Sequence, residues 1–166
     1  MDKRQKIIVA VFALIFVAAL VVLVVVASRR PDVIISEFKA PPFEENAILG
    51  VPEGVDKIEN YREIDVNGNY KFALAGTPLL DGDKLLVHFS SHEDNNAWLL
   101  IRIYDMQGNK IGESGILRAG EYVEAVSLSG SCSADSVRVK ILSYEPQTYY
   151  SLGTASATLP IIKISK

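Results

Sequence analysis

A single cysteine in 166 residues, Cys132, excludes any intrachain disulfide. Small secreted eukaryotic domains are usually stapled by such bridges, so an unbridged extracellular domain fits a bacterial surface better. The chain also lacks an Asn-x-Ser/Thr sequon, which agrees with that reading. Basic residues are scarce beyond the N-terminus. Five of the 17 Lys and Arg and one of the 20 Asp and Glu fall in the first 31 positions, leaving 12 against 19 and a net of −7 for residues 32–166. Phosphate contact needs a basic patch, so nucleic acid is not expected as a partner, and docking of this part on anionic lipid is disfavoured too.

What the chain does have is one long apolar run. Residues 7–27 carry no charge and stand between Lys3, Arg4, Lys6 and Arg29, Arg30. About 20 apolar residues in a helix cross a bilayer core of about 30 Å, and this run has no polar face with which to lie on the surface. The expectation is one N-terminal transmembrane helix acting as an uncleaved signal anchor. Cleavage after Ala27 is the rival, opposed by the length of the run and by the arginines beyond it. The basic N-terminus is expected inside and the C-terminal domain outside, on a slight charge bias, with the reverse orientation as the alternative. The organisation read from the sequence is a basic tail at 1–6, the span at 7–27, a juxtamembrane stalk and acidic loop at 28–60, and a β-sandwich domain at 61–166.

After residue 60 the hydrophobic period is two. Asn67-Gly68-Asn69 between Tyr61–Val66 and Tyr70–Ala75 is a hairpin signal, because Asn and Gly accept the positive φ of tight turns. Asp81-Gly82-Asp83 predicts another turn, and Asp105 to Asn109 predicts a type I turn with Gly108 left-handed. Leu85, Val87 and Phe89 share one face of a strand. Leu99, Ile101 and Ile103 share another, with Trp98, Leu100, Arg102 and Tyr104 opposite. Val139 and Ile141 point inward against Arg138 and Lys140, and Pro160 predicts an edge or a bulge. The fold class expected is all-β, an antiparallel sandwich of immunoglobulin-like or jelly-roll-like form.

Residues 95–102 (NNAWLLIR), 108–109 (GN), 112–123 (GESGILRAGEYV) and 144–153 (YEPQTYYSLG), with 41–50 (PPFEENAILG), resemble a group of small single-span surface proteins of Gram-positive clostridial bacteria, some carried on conjugative elements. The resemblance covers most of residues 40–160 and brings no catalytic residues with it. It implies a bacterial, surface-exposed, non-enzymatic module.

Candidate chemistry is thin. His88 and His92 are four apart, but on a strand that means roughly 13 Å at about 3.3 Å per residue, too far to share zinc without a sharp bend, so two surface histidines are expected. Asp81, Asp83, Glu93, Asp94, Asn95 and Asn96 offer oxygen ligands for calcium without the spacing of a calcium loop. Gly112-Glu113-Ser114-Gly115 lacks the second glycine of a nucleophile elbow, Ile116 standing in its place. No metal, cofactor or catalytic residue is therefore expected. The aromatic set is the lead for a ligand site: Trp98, Arg102 and Tyr104 on one strand face, with Tyr144, Tyr149 and Tyr150, can stack on a sugar or anchor a protein. A second apolar layer packed under the acidic 43–60 segment would use the same side chains, and buried aromatics are commonly core. The function expected is a membrane-anchored extracellular binding module with protein partners, with carbohydrate binding as the alternative and an envelope hydrolase as the third reading.

Overall fold

The computed structural model describes residues 2–5, 15–17, 19–21, 38–130, 132 and 134–164. The expected span at 7–27 lies mostly outside these residues. Its described positions, 15–17 and 19–21, are helical, and Ile15, Phe16, Val17, Leu20 and Val21 are exposed. Among the described residues no helix is long and apolar enough to cross a membrane. The chain divides into two compact units, Met1–Lys39 and Ala40–Lys166. The second unit therefore begins at Ala40 and not at residue 61, for a reason that Gly115 makes plain below.

The second unit is all-β, as the alternation predicts. Its strands are β1 (Ile48–Leu49), β2 (Arg62–Val66), β3 (Tyr70–Leu74), β4 (Leu79–Asp81), β5 (Lys84–Ser91), β6 (Trp98–Tyr104), β7 (Lys110–Glu113), β8 (Glu121–Ser127), β9 (Ser136–Tyr144), β10 (Ser151–Pro160) and β11 (Ile162–Lys163). One sheet runs β1-β8-β5-β3-β2, with β4 on β5 and β11 parallel to β4; the other runs β10-β9-β6-β7. All pairings except β11 with β4 are antiparallel. The expected turns form. Asn67 and Gly68 take φ of 52° and 73°, and Asp65 accepts the Gly68 amide at 2.7 Å. Gly108 takes φ 91° in the β6–β7 turn, where Asp105 accepts from the Asn109 amide and side chain, both at 2.8 Å. These bonds hold the Asp105 carboxyl below its usual range.

One core fills the space between the sheets. Phe72, Leu85, Val87, Phe89 and Val123 come from the first sheet, Leu99, Ile101, Ile103, Val137, Val139 and Ile141 from the second. Each such aliphatic side chain contributes about 1.5–3 kcal/mol by leaving water. Cys132 is half-buried against this core. A smaller cluster on the other face of the second sheet holds Leu100, Ile116 and Tyr144, with Phe43, Trp98, Leu142 and Tyr149 packed on it.

The 40–60 segment is part of the domain because it docks on residues 114–120. Ile116 donates to the Pro42 carbonyl at 2.8 Å, and the Glu44 amide donates to Ile116 at 2.9 Å. The Gly115 amide donates to the Glu44 carboxylate at 2.6 Å. A Cβ on Gly115 would lie 2.4 Å from Glu44 backbone atoms, so this close approach needs glycine. Further on, Ile48 and Leu49 pair with Tyr122 and Glu121. Glu44, read from sequence as part of a solvated acidic loop, is a fastener.

Candidate functional site

The cross-strand register sets Glu63, Ala73 and Ser90 side by side on β2, β3 and β5. Because Phe72 faces the core, strand alternation turns Ala73 and its neighbours the other way. Around this row lies a cleft of about 480 Å³, walled by Leu49 at the end of β1 with Gly50 and Val51 beyond it, by Ala119-Gly120, and by His92-Glu93 after β5. Leu49 and Val51 form an apolar rim, 81% and 74% exposed.

Its polar groups are ordered by the loop that follows β5. Asn95 donates to the Lys71 carbonyl at 2.7 Å and to Ser91 Oγ at 3.0 Å, and accepts the Lys71 amide at 2.8 Å. That triple bond set fixes His92. The Asp94 amide donates to His92 Nδ1 at 3.1 Å, so the neutral ring carries its proton on Nε2, which lies 3.4 Å from Glu63 Oε2. Asp94 Oδ2 is 3.6 Å from Nδ1. Tyr61 and Ser90 share a short hydrogen bond beside them. Burial raises the Tyr61 phenol above its usual range, the Ser90 bond opposes this, and the Glu63 charge adds to the rise. Both imidazole nitrogens of His92 thus face other partners, while Ser90 faces Tyr61 and Ser91 faces Asn95, so the cleft orients a histidine–carboxylate pair without setting a hydroxyl against it. Such a bowl, apolar at the rim with few fixed polar groups, is suited to holding a ligand.

The residues singled out from sequence sit elsewhere. Trp98, Tyr144 and Tyr149 do come together, but beneath Phe43. The Trp98 ring meets Phe43 at 4.9 Å and Tyr149 at 5.3 Å between centroids, both near edge-on, and the Arg118 guanidinium lies 3.8 Å over the Phe43 ring. Tyr144 is buried at 8% exposure, and Tyr150 stands 73% exposed outside this cluster. Arg102 turns to Glu113, which also takes Lys110 at 3.2 Å. Burial alone would raise the Glu113 carboxyl, but these two cations hold it below its usual range. Burial raises the Tyr144 phenol, and the Arg102 charge opposes this. Tyr104 lies farther along β6, opposite Arg138.

The two histidines are not the surface pair expected. His88 stands at φ 44° where β5 bulges between Leu86 and Phe89, and it is half-buried with Nδ1 without a hydrogen-bond partner among the described residues. Burial lowers its pKa, with Glu124 opposing. His92 serves the cleft. Among the described residues no three His, Cys, Asp or Glu side chains converge as a metal ion would require. Ser114 is buried, accepting the Ile101 amide at 3.1 Å and donating to the Gly115 carbonyl at 2.7 Å. The cleft was missed because its residues come from separated stretches. The signal available was the polar loop 91–96 beside His92, together with the unusual length of the 43–60 segment. Compared with protein-family models, with curated proteins and with solved structures, the chain has no significant match.

Proposed function

We propose that this protein is a single-span, surface-displayed binding module, non-catalytic, that captures a protein partner in the cleft between Leu49–Val51 and Glu63–His92. The observation that carries this reading is the exposed apolar rim beside acidic walls. Leu49 and Val51 expose large aliphatic surface, while Glu63 and Glu93 line the same bowl. A protein segment presenting an apolar side chain beside a basic one matches both features. A carbohydrate partner has less support, since the Trp98 ring is engaged by Phe43 and Tyr149 and offers little face for a sugar. The hydrolase reading has less again, because among the described residues no hydroxyl is set against His92.

The membrane anchor is supported by the uncharged run at 7–27 and by the exposed apolar helical positions within it. A bacterial envelope setting, with the N-terminus inside, is supported by the likeness to clostridial surface proteins and by the absence of disulfides. The immunoglobulin-like or jelly-roll-like reading is supported by the chain's repeated crossing between sheets, from β5 to β6, β7 to β8 and β8 to β9.

The test is capture of envelope proteins by the full chain in detergent, compared with Leu49→Asp/Val51→Asp and with Trp98→Ala. The proposal expects at least a tenfold loss of the captured partner for the rim double variant and retention for Trp98→Ala. Loss with Trp98→Ala alone, with the fold intact, would return the site to the aromatic face.

A further inference from the structure

Among the described residues β10 is the edge of the second sheet, paired on one side only, with β9. Which of its residues face the open side follows from the neighbouring strands. Leu99 exchanges backbone bonds with Leu117 at 3.0 and 2.7 Å, and Ile101 bonds Ser114, so odd residues of β6 point away from β9. Even residues of β6 then bond β9 through Arg138, Lys140 and Leu142, which leaves Val137, Val139 and Ile141 for β10. Their partners are Leu159, Ala157 and Ala155. Thr154, Ser156 and Thr158 therefore present their N–H and C=O groups at the open edge. Pro160 falls in the same series, where the missing N–H costs no ladder bond.

Edge strands are usually protected by charge, by bulges or by proline. Here the bulge lies between Ser151 and Gly153 and the proline at position 160, and no residue of β10 is charged. The stretch between them is open and reads the same in both directions: Thr154-Ala155-Ser156-Ala157-Thr158. We propose that β10 pairs antiparallel with β10 of a second copy about a two-fold axis at Ser156, joining the two four-stranded sheets into one. That register sets Ser156 opposite Ser156 and Thr154 opposite Thr158 of the second copy, each pair exchanging both backbone bonds. Ala155 and Ala157, half-buried toward the core, meet the same residues of the other copy. A two-fold interface must be self-complementary, and a palindromic strand meets that requirement residue by residue. An unrelated partner strand would not need the palindrome.

The experiment uses the full chain in detergent, with its mass measured by light scattering corrected for bound detergent. The proposal expects twice the single-chain 18.2 kDa. Ser156→Lys and Ser156→Glu each place like charges together on the axis and should halve that mass, while an equimolar mixture of the two should restore it. In a Cys132→Ser background, Ser156→Cys should form a reducible cross-linked dimer, since Cα atoms about 5.5 Å apart across a bonded pair lie within disulfide reach. Thr154→Cys alone should not, its two copies being roughly 13 Å apart along the strand at about 3.3 Å per residue. Single-copy mass at all concentrations, or a dimer indifferent to both charge variants with circular dichroism unchanged, would overturn the proposal.

Discussion

Replacing Gly115 by alanine should loosen the N-terminal strap from the domain. The added Cβ would stand 2.4 Å from the Glu44 Cα and N and 2.7 Å from the Phe43 carbonyl carbon, all backbone, so no side chain can swing aside. The strap between Pro42 and Glu44 must lift. It then loses three hydrogen bonds, from Ile116 to Pro42, from Glu44 to Ile116 and from Gly115 to the Glu44 carboxylate. Each is worth about 0.5–1.5 kcal/mol net, and the Phe43–Trp98 ring contact adds about 0.5–1.5 kcal/mol. The loss is about 2–6 kcal/mol, which at about 3–5 °C per kcal/mol for a domain of this size lowers Tm by roughly 10–20 °C. Trp98 is the chain's one tryptophan, so its fluorescence reads the event directly. Its emission should shift to the red in Gly115→Ala before global unfolding, and Phe43→Ala should show the same shift with a smaller fall in Tm. A Gly115→Ala protein that melts with the parent and keeps its emission maximum would refute the argument that this glycine is required by the strap.

Asn95→Ala removes three hydrogen bonds made by one side chain to Lys71 and Ser91, with an expected cost of about 2–3 kcal/mol in chemical denaturation and weaker partner capture through the loosened His92. For His88 the folded pKa is depressed, so its unfolded form binds the proton more readily. Its contribution to stability is whole above the unfolded pKa of about 6.5 and is lost as pH falls through the lower folded value. Melts of His88→Asn, which tolerates the left-handed backbone, should accordingly fall less steeply than the parent's below about pH 6.5; parallel curves would remove His88 from the account.

How much was legible in the sequence differs by the range of the interaction involved. The Asn67-Gly68 and Asp105–Asn109 turns were readable because their causes are local: two left-handed φ values and a carboxylate over its own turn. β6 was readable because Leu99, Ile101 and Ile103 repeat at two. The bulge at His88 left only a faint trace, namely that Val123 and Val126 on the partner strand both face the core though three apart. The 43–60 segment looked like a solvated loop because its acidic residues conceal Phe43 and Glu44, whose partners lie near position 115. The cleft was hidden for the same reason. Leu49, Glu63, Ser90 and His92 become neighbours only through the register of five strands, which periodicity does not specify.

The parallel pairing of β11 with β4 bears on the order in which the molecule is assembled. Pro160 ends a strand of one sheet, and two residues later Ile162 lies against Leu79 of the other, donating to the Pro78 carbonyl at 3.1 Å. The stretch from Ser151 to Lys163 is therefore a clasp across both layers, and it joins residues far apart along the chain. Local hairpins can close quickly and independently, but the clasp has nothing to grip until both layers stand, so it belongs to the closing steps of folding. A nascent chain still short of these residues would hold its layers together by the core alone, with the free side of β4 open to other strands in a crowded cell.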